Sequence, residues 1–188
     1  MELQILHAIQ GIHQGWLTEI LRFFTTIGES GLVWIVIAIV LTCIPKTRKC
    51  GLTMMVAMAI TYLLGNLLLK NVIARPRPCA VDSSVTLKIP IPSEYSFPSG
   101  HTSNGFTAAV TIFNYYRKVG ILSLIMAAVI AFSRLYFFVH YPTDILGGIV
   151  LGTLDALLAV YIVKRLEQHR ADAQKGRNID EQQNIMER

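Results

Sequence analysis

Charge is scarce in this chain. Asp, Glu, Lys and Arg together make up 15% of its 188 residues, against 53% hydrophobic residues. By length this is one domain, and by composition a membrane protein. Cysteine is sparse too. Cys43, Cys50 and Cys79 form neither a metal-type spacing nor an even set for disulfides, and read as incidental. The opening residues, Met1 to His7, lack the basic start and unbroken apolar stretch of a cleavable signal peptide. No internal repeat or low-complexity tract is present. The net charge of +5 raises the question of nucleic acid. The positives sit at the edges of apolar runs and in the tail, not along one soluble face, which excludes that class.

The apolar residues are gathered into runs. Ile5 to Ile27 reads as an interfacial amphipathic piece leading into a short first crossing near Trp16 to Ile27. Gly28 to Gly31 is a turn. Leu32 to Ile44 is a second crossing, closed by Pro45 and the basic residues Lys46, Arg48 and Lys49. Gly51 to Leu69 is a third, 19 residues without charge. It stops at Lys70, and Pro76 forbids continuation. Cys79 to Phe97 is a polar, proline-bearing loop. A fourth helix starts at His101 and runs to Tyr116. Val119 to Val139 is the fifth crossing and Ile145 to Val163 the sixth. The fold class expected is all-α: a polytopic bundle of six transmembrane helices with an N-terminal interfacial helix. Residues 1–165 form the membrane domain. Residues 166–188 form a polar cytoplasmic tail, frayed or disordered from Glu167.

Basic residues set the orientation. With six crossings, Lys46, Arg48, Lys49, Arg117, Lys118, Lys164 and Arg165 share one side. Lys70, Arg75, Arg77, Lys88 and Arg134 fall on the other, a bias of seven to five. If Lys70, Arg77 and Arg134 belong to a site, the remainder is seven to two. The first side is then cytoplasmic with both termini, and the second faces outside.

Arg134 interrupts an apolar run, at a cost of roughly 2.5–3.5 kcal/mol on insertion scales. It therefore needs a reason, and His140 and Asp144 follow at once. Three segments meet on the outer side under this threading: Lys70 to Pro78, Pro98 to His101, and Ser133 to Asp144. Their residue types suit phosphoryl transfer, where catalysis is mostly positioning and electrostatic stabilisation. Lys70, Arg77 and Arg134 supply three cations, and arginine adds a bidentate fork. Ser99 and Gly100 lie at a helix N-terminus, where free N–H groups favour an anion. His140 suits a nucleophile attacking phosphorus, Asp144 a holder of its other nitrogen, and His101 a general acid. On an ideal helix Arg134 and His140 point about 240° apart, so His140 is expected beyond the last regular turn of its helix. Gly148 and Gly152 read as a close helix contact. Asp155 reads as a structural polar residue facing Asn66, Tyr62 or Asn114.

Lys-x6-Arg-Pro, Pro-Ser-Gly-His and Ser-Arg-x5-His-x3-Asp, in this order, resemble the three-part signature of the type 2 phosphatidic acid phosphatase superfamily. The resemblance spans Gly51 to Val163. It implies His140 attacking, Asp144 orienting, His101 protonating, and Lys70, Arg77, Ser99, Gly100 and Arg134 holding phosphate. It implies a membrane lipid phosphate as substrate: an undecaprenyl diphosphate, with phosphatidylglycerol phosphate or phosphatidate as alternatives. No cofactor and no metal are expected, because the outer carboxylates Glu29, Asp82, Glu94 and Asp144 are scattered among five cations, whereas two-metal hydrolysis needs several together. A lipid transporter is the competing class. Neither inverted repeats nor broken mid-membrane helices are visible in the sequence to favour it.

Overall fold

The computed structural model describes residues 1–186, and every regular element among them is helical. The helices are α1 (Glu2–Gln10), α2 (Gly15–Ile27), α3 (Leu32–Cys43) and α4 (Arg48–Thr61), then α5 (Lys70–Ile73), α6 (Pro78–Val81), α7 (Gly100–Tyr115), α8 (Arg117–Tyr136) and α9 (Pro142–Met186). A π-helical stretch, Tyr62–Leu69, joins α4 to α5 without interruption.

The core forms around α7. Its buried residues are small: Thr102, Ser103, Gly105, Thr107, Ala108, Ala109 and Thr111, with Ile112 the one large side chain. In lipid, small residues let helices close to van der Waals distance, where packing rather than hydrophobicity drives association. The expected glycine contact is present. A Cβ on Gly152 would stand 2.4 Å from the Ser103 carbonyl, and one on Gly148 would stand 3.0 Å from that of Ser99. Asp155 is buried between the same helices. Its partner is Thr61, at 2.8 Å, which also meets Thr107 at 2.7 Å. None of the three partners expected from sequence is bonded to it. Trp34, Met54, Met58 and Ile130 pack around the α7 alanines. Outward faces of α3, α4, α8 and α9 are lined with exposed Ile, Val and Leu, as a lipid-facing surface requires.

Three helical stretches are long and apolar enough to cross a membrane: Arg48–Val81, Arg117–Tyr136 and Pro142–Lys175. The path through α2 and α3 joins them if the two are taken as one bent span. Among the described residues, three helices, or four spans with the bent pair, reach that length and hydropathy, against the six expected. The residues read as a turn, Gly28 to Gly31, bend the chain by only 44°, with Ser30 and Gly31 at φ 51° and 70°. A hairpin would have needed a reversal. The break falls inside the expected turn, at Ser30; what the sequence did not reveal is how small its angle is.

The ends of the chain also fall differently from expectation. Glu2 bonds to Arg75 and Thr143, beside the start of α9. Lys49, at the start of α4, pairs with Glu167 at 2.9 Å. Lys49 and Lys70 are separated by roughly 30 Å of helix at about 1.5 Å per residue. Glu2 and Glu167 thus lie at opposite ends of the bundle. From Glu167 to Met186 the tail is helical rather than frayed, continuing α9. Its run of Glu, Gln, Arg, Ala and Lys consists of good helix formers.

Candidate active site

The connection between α8 and α9 delivers His140. α8 ends at Tyr136, and Phe138 then takes φ 60°. A left-handed residue with a side chain costs roughly 1–2 kcal/mol. Here the ring is fully buried against Leu6 and Tyr141, which holds the turn. The Val139 N–H still reaches the Arg134 carbonyl at 3.2 Å. His140 has left the helical register, as the angular argument required.

Asp144 stands in the first turn of α9 and is fully buried. Its Oδ2 lies 3.4 Å from His140 Nδ1 and accepts from the Ser96 hydroxyl at 2.5 Å and the Tyr141 N–H at 2.8 Å. Its Oδ1 accepts from Arg75 at 2.7 Å. The other ring nitrogen of His140, Nε2, meets Arg77 Nη1 at 3.0 Å. Arg77 is itself fixed by the carbonyls of Val139 at 2.9 Å and Glu94 at 2.7 Å. Guanidinium can only donate, so Nε2 carries the lone pair and Nδ1 the proton. His140 lies outside the spanning helices. Burial pushes its imidazole down to about 3, against the upward pull of Asp144. The ring is neutral at neutral pH.

A cavity of about 1100 Å³ opens in front of Nε2. Six of the eight residues singled out from sequence line it: Lys70, Arg77, Gly100, His101, Arg134 and His140. Lys70 is buried and paired with the Glu94 carboxylate. The π-helical stretch ahead of it changes the angular register of everything beyond, and Asn66 and Lys70 both reach the cavity. A side chain on Gly100 would stand 3.6 Å from Lys70 Nζ. Arg134 is buried, donates Nη1 to the Thr25 hydroxyl, and leaves Nε without a partner among the described residues. His101 Nε2 lies 3.2 Å from the Thr25 carbonyl and 3.8 Å from Glu29. From the charged end an apolar arm continues between α3 and α4, past Tyr62, Ala59, Met58 and Met55 on one side and Ile35 and Ala38 on the other.

Two residues stand behind the cavity rather than on it. Asp144 backs His140. Ser99 is fully buried, gives its N–H to the Asp144 carbonyl at 3.1 Å, and accepts the Thr102 hydroxyl at 3.0 Å. Its backbone N–H is therefore spent inside the fold, not held toward an anion.

Sequence reasoning missed Thr25, Ser96, Glu94 and the bonding role of Arg75. Thr25 sits in a helix with no motif, and Ser96 and Glu94 in the undeciphered loop. Arg75 lies at an unspecified position inside the Lys-x6-Arg-Pro spacing, which gives it no role. His7 pairs with Asp82 at 2.8 Å and His13 meets the Tyr136 carbonyl at 2.9 Å, both away from the cavity. Among the described residues, no three His, Cys, Asp or Glu side chains are grouped to hold a metal ion.

Comparison with known proteins follows the same lines. Residues 51–168 match the PAP2 superfamily. The chain is 34% identical to an undecaprenyl-diphosphatase of Sulfolobus acidocaldarius, over 81% of its own length and 76% of that protein's. It is 32% identical to phosphatidylglycerophosphatase B of Bacillus subtilis, over 84% and 78% of the two chains. The crystal structure of the transmembrane PAP2-type phosphatidylglycerolphosphate phosphatase from Bacillus subtilis superposes with a TM-score of 0.70 at 30% identity, covering 86% of this chain and 84% of that one.

Proposed function

We propose how a chain that belongs to the PAP2 superfamily, a membrane lipid phosphatase, carries out its hydrolysis and on which lipid. The terminal phosphate enters the cavity and is held by Lys70, Arg77, Arg134 and the N–H of Gly100 at the start of α7. Ser99 supports that turn from behind. As Arg77 turns from Nε2 to the phosphate oxygens, the His140 lone pair is released. Nε2 attacks phosphorus, the bond to the leaving oxygen breaks, and His101 gives that oxygen a proton. Asp144 holds Nδ1–H and stabilises the positive ring of the phosphohistidine. Water then attacks phosphorus, His101 takes its proton, the N–P bond breaks, and phosphate leaves.

The single observation that carries this reading is the placement of His140 Nε2, 3.0 Å from Arg77 and facing a cavity with three buried cations. The unpartnered Arg134 Nε supports an anion there. For the substrate we favour undecaprenyl diphosphate, hydrolysed to the monophosphate, with phosphatidylglycerophosphate as the second reading. The apolar arm between α3 and α4 supports a long hydrocarbon chain in either case. The seven basic residues at the far end support a cytoplasmic placement for that end and an outer placement for the site. With α2 and α3 as one bent span, α7 makes a fifth passage, and Glu2 lies on the outer side.

The test is purified protein in detergent, assayed side by side on undecaprenyl diphosphate, phosphatidylglycerophosphate and phosphatidate, with and without EDTA. The reading expects fastest release from the diphosphate, resistance to chelation, and near-complete loss in His140→Ala. A parent with no hydrolysis of any lipid, or an active His140→Ala, overturns it.

A further inference from the structure

Arg75 takes part in none of these steps and does not line the large cavity. It is nonetheless tied more tightly than any other surface arginine described. Nη1 donates to Asp144 Oδ1 at 2.7 Å and to the Thr143 hydroxyl at 2.7 Å, and Nη2 donates to Glu2 Oε2 at 2.6 Å. The guanidinium carbon sits 3.8 Å from the centre of the Tyr141 ring. Glu2, on α1, uses its second oxygen on the same corner. Oε1 accepts from the Thr143 hydroxyl at 2.7 Å and the Thr143 N–H at 3.2 Å. It thereby caps the exposed start of α9, one residue before Asp144.

The two oxygens of Asp144 are not equivalent. Oδ2 serves His140, Ser96 and the Tyr141 N–H, while Oδ1 has only Arg75. Asp144 is fully buried, whereas the Arg75 side chain is 26% exposed and could leave for water. A carboxylate whose outer oxygen loses its only donor in a buried site reorients to recover one. That rotation carries Oδ2 away from the imidazole. Glu2 removes this freedom, because a rigid guanidinium fork fits two carboxylates and a hydroxyl at once. Burial opposes ionisation of Glu2. The Thr143 hydroxyl and N–H and the Arg75 cation outweigh it, so Glu2 sits below the usual carboxylate range and is charged at neutral pH.

We propose that Glu2 and Arg75 are positioning residues for the reaction, and that α1 completes a relay from Glu2 through Arg75 and Asp144 to His140. The relay fixes the direction in which Asp144 holds the imidazole. It does not touch the phosphate. Its loss therefore lowers kcat and leaves KM nearly unchanged. The proposal rests on His140 as nucleophile.

The experiment compares Arg75→Ala, Glu2→Gln, the double variant and His140→Ala in full-length detergent-purified protein, with thermal unfolding measured for each. Misplacing a catalytic group by an ångström costs up to about a hundredfold. Arg75→Ala is expected to lose kcat at least tenfold with KM within about twofold, and added guanidinium should restore part of it. Glu2→Gln, an isosteric change at the edge of the fold, is expected to lose kcat a few-fold. The double variant should lose no more than Arg75→Ala alone, since both act through one contact. Parental kcat in either variant, a change confined to KM, additive losses, or no guanidinium rescue of a folded Arg75→Ala overturns the relay. An active His140→Ala instead overturns the nucleophile assignment, and so marks failure of the underlying reading.

Discussion

Arg77 donates to the very nitrogen of His140 that faces the cavity, across 3.0 Å. Under the proposed mechanism this cation covers the lone pair that attacks, and a bound phosphate draws it away. The same guanidinium also holds the carbonyls of Val139 and Glu94, fixing the loop against His140. A lysine ammonium cannot span these three acceptors from one stem. Arg77→Lys is expected to lower kcat/KM on the order of a hundredfold, the range of losing a preorganised donor. Phosphate release from purified protein measures it, and a loss under threefold would contradict the role.

His140 offers a pH test. Its pKa is depressed to about 3, chiefly by burial. The neutral form, which the proposed attack requires, persists on acidification and is lost only as pH falls through that value. Histidine-selective NMR of the micelle-bound protein, with the His140→Ala spectrum as assignment, should show no His140 titration near the ordinary value of about 6.5.

Glu94 pairs its carboxylate with Lys70, where the proposed mechanism places a phosphate oxygen. The Glu94 side chain is 59% exposed, so the pair is worth at most about 1 kcal/mol. Glu94→Gln should lower KM by up to roughly fivefold with kcat retained. A raised KM would mean that Glu94 aids binding instead.

Gly152 has no room for a methyl group, since the obstacle at 2.4 Å is backbone of α7. Gly152→Ala is expected to cost about 1–3 kcal/mol, read as a lower melting temperature in detergent. Gly15→Ala, where nothing lies within 4 Å, is the matched control and should not lower it.

Orientation can be read from native thiols. Cys79 lies at the site end and is half-buried, Cys43 lies exposed toward the far end, and Cys50 is fully buried. A membrane-impermeant maleimide on intact cells should label Cys79 and spare Cys43 until lysis. The reverse pattern would invert the placement of the site. Cys50 should stay silent throughout, so it reports nothing on sidedness.

By itself the sequence determined the helices, the basic end and the cluster of Lys70, Arg77, His101, Arg134 and His140 at the other end. Those signals are local: hydropathy runs, helix stops and motif spacing depend only on neighbours along the chain. Tertiary structure decided the rest. The bend at Ser30 is 44° rather than a reversal, and Glu2 and Glu167 lie at opposite ends of the bundle. No spacing could show that Thr25 would hold both Arg134 and His101, that Ser96 and Arg75 would share the oxygens of Asp144, or that Ser99 would spend its N–H on the same residue. Such partners lie up to 109 positions apart. They are chosen by which buried donors and acceptors remain unmet once the helices pack, a condition that exists only in three dimensions.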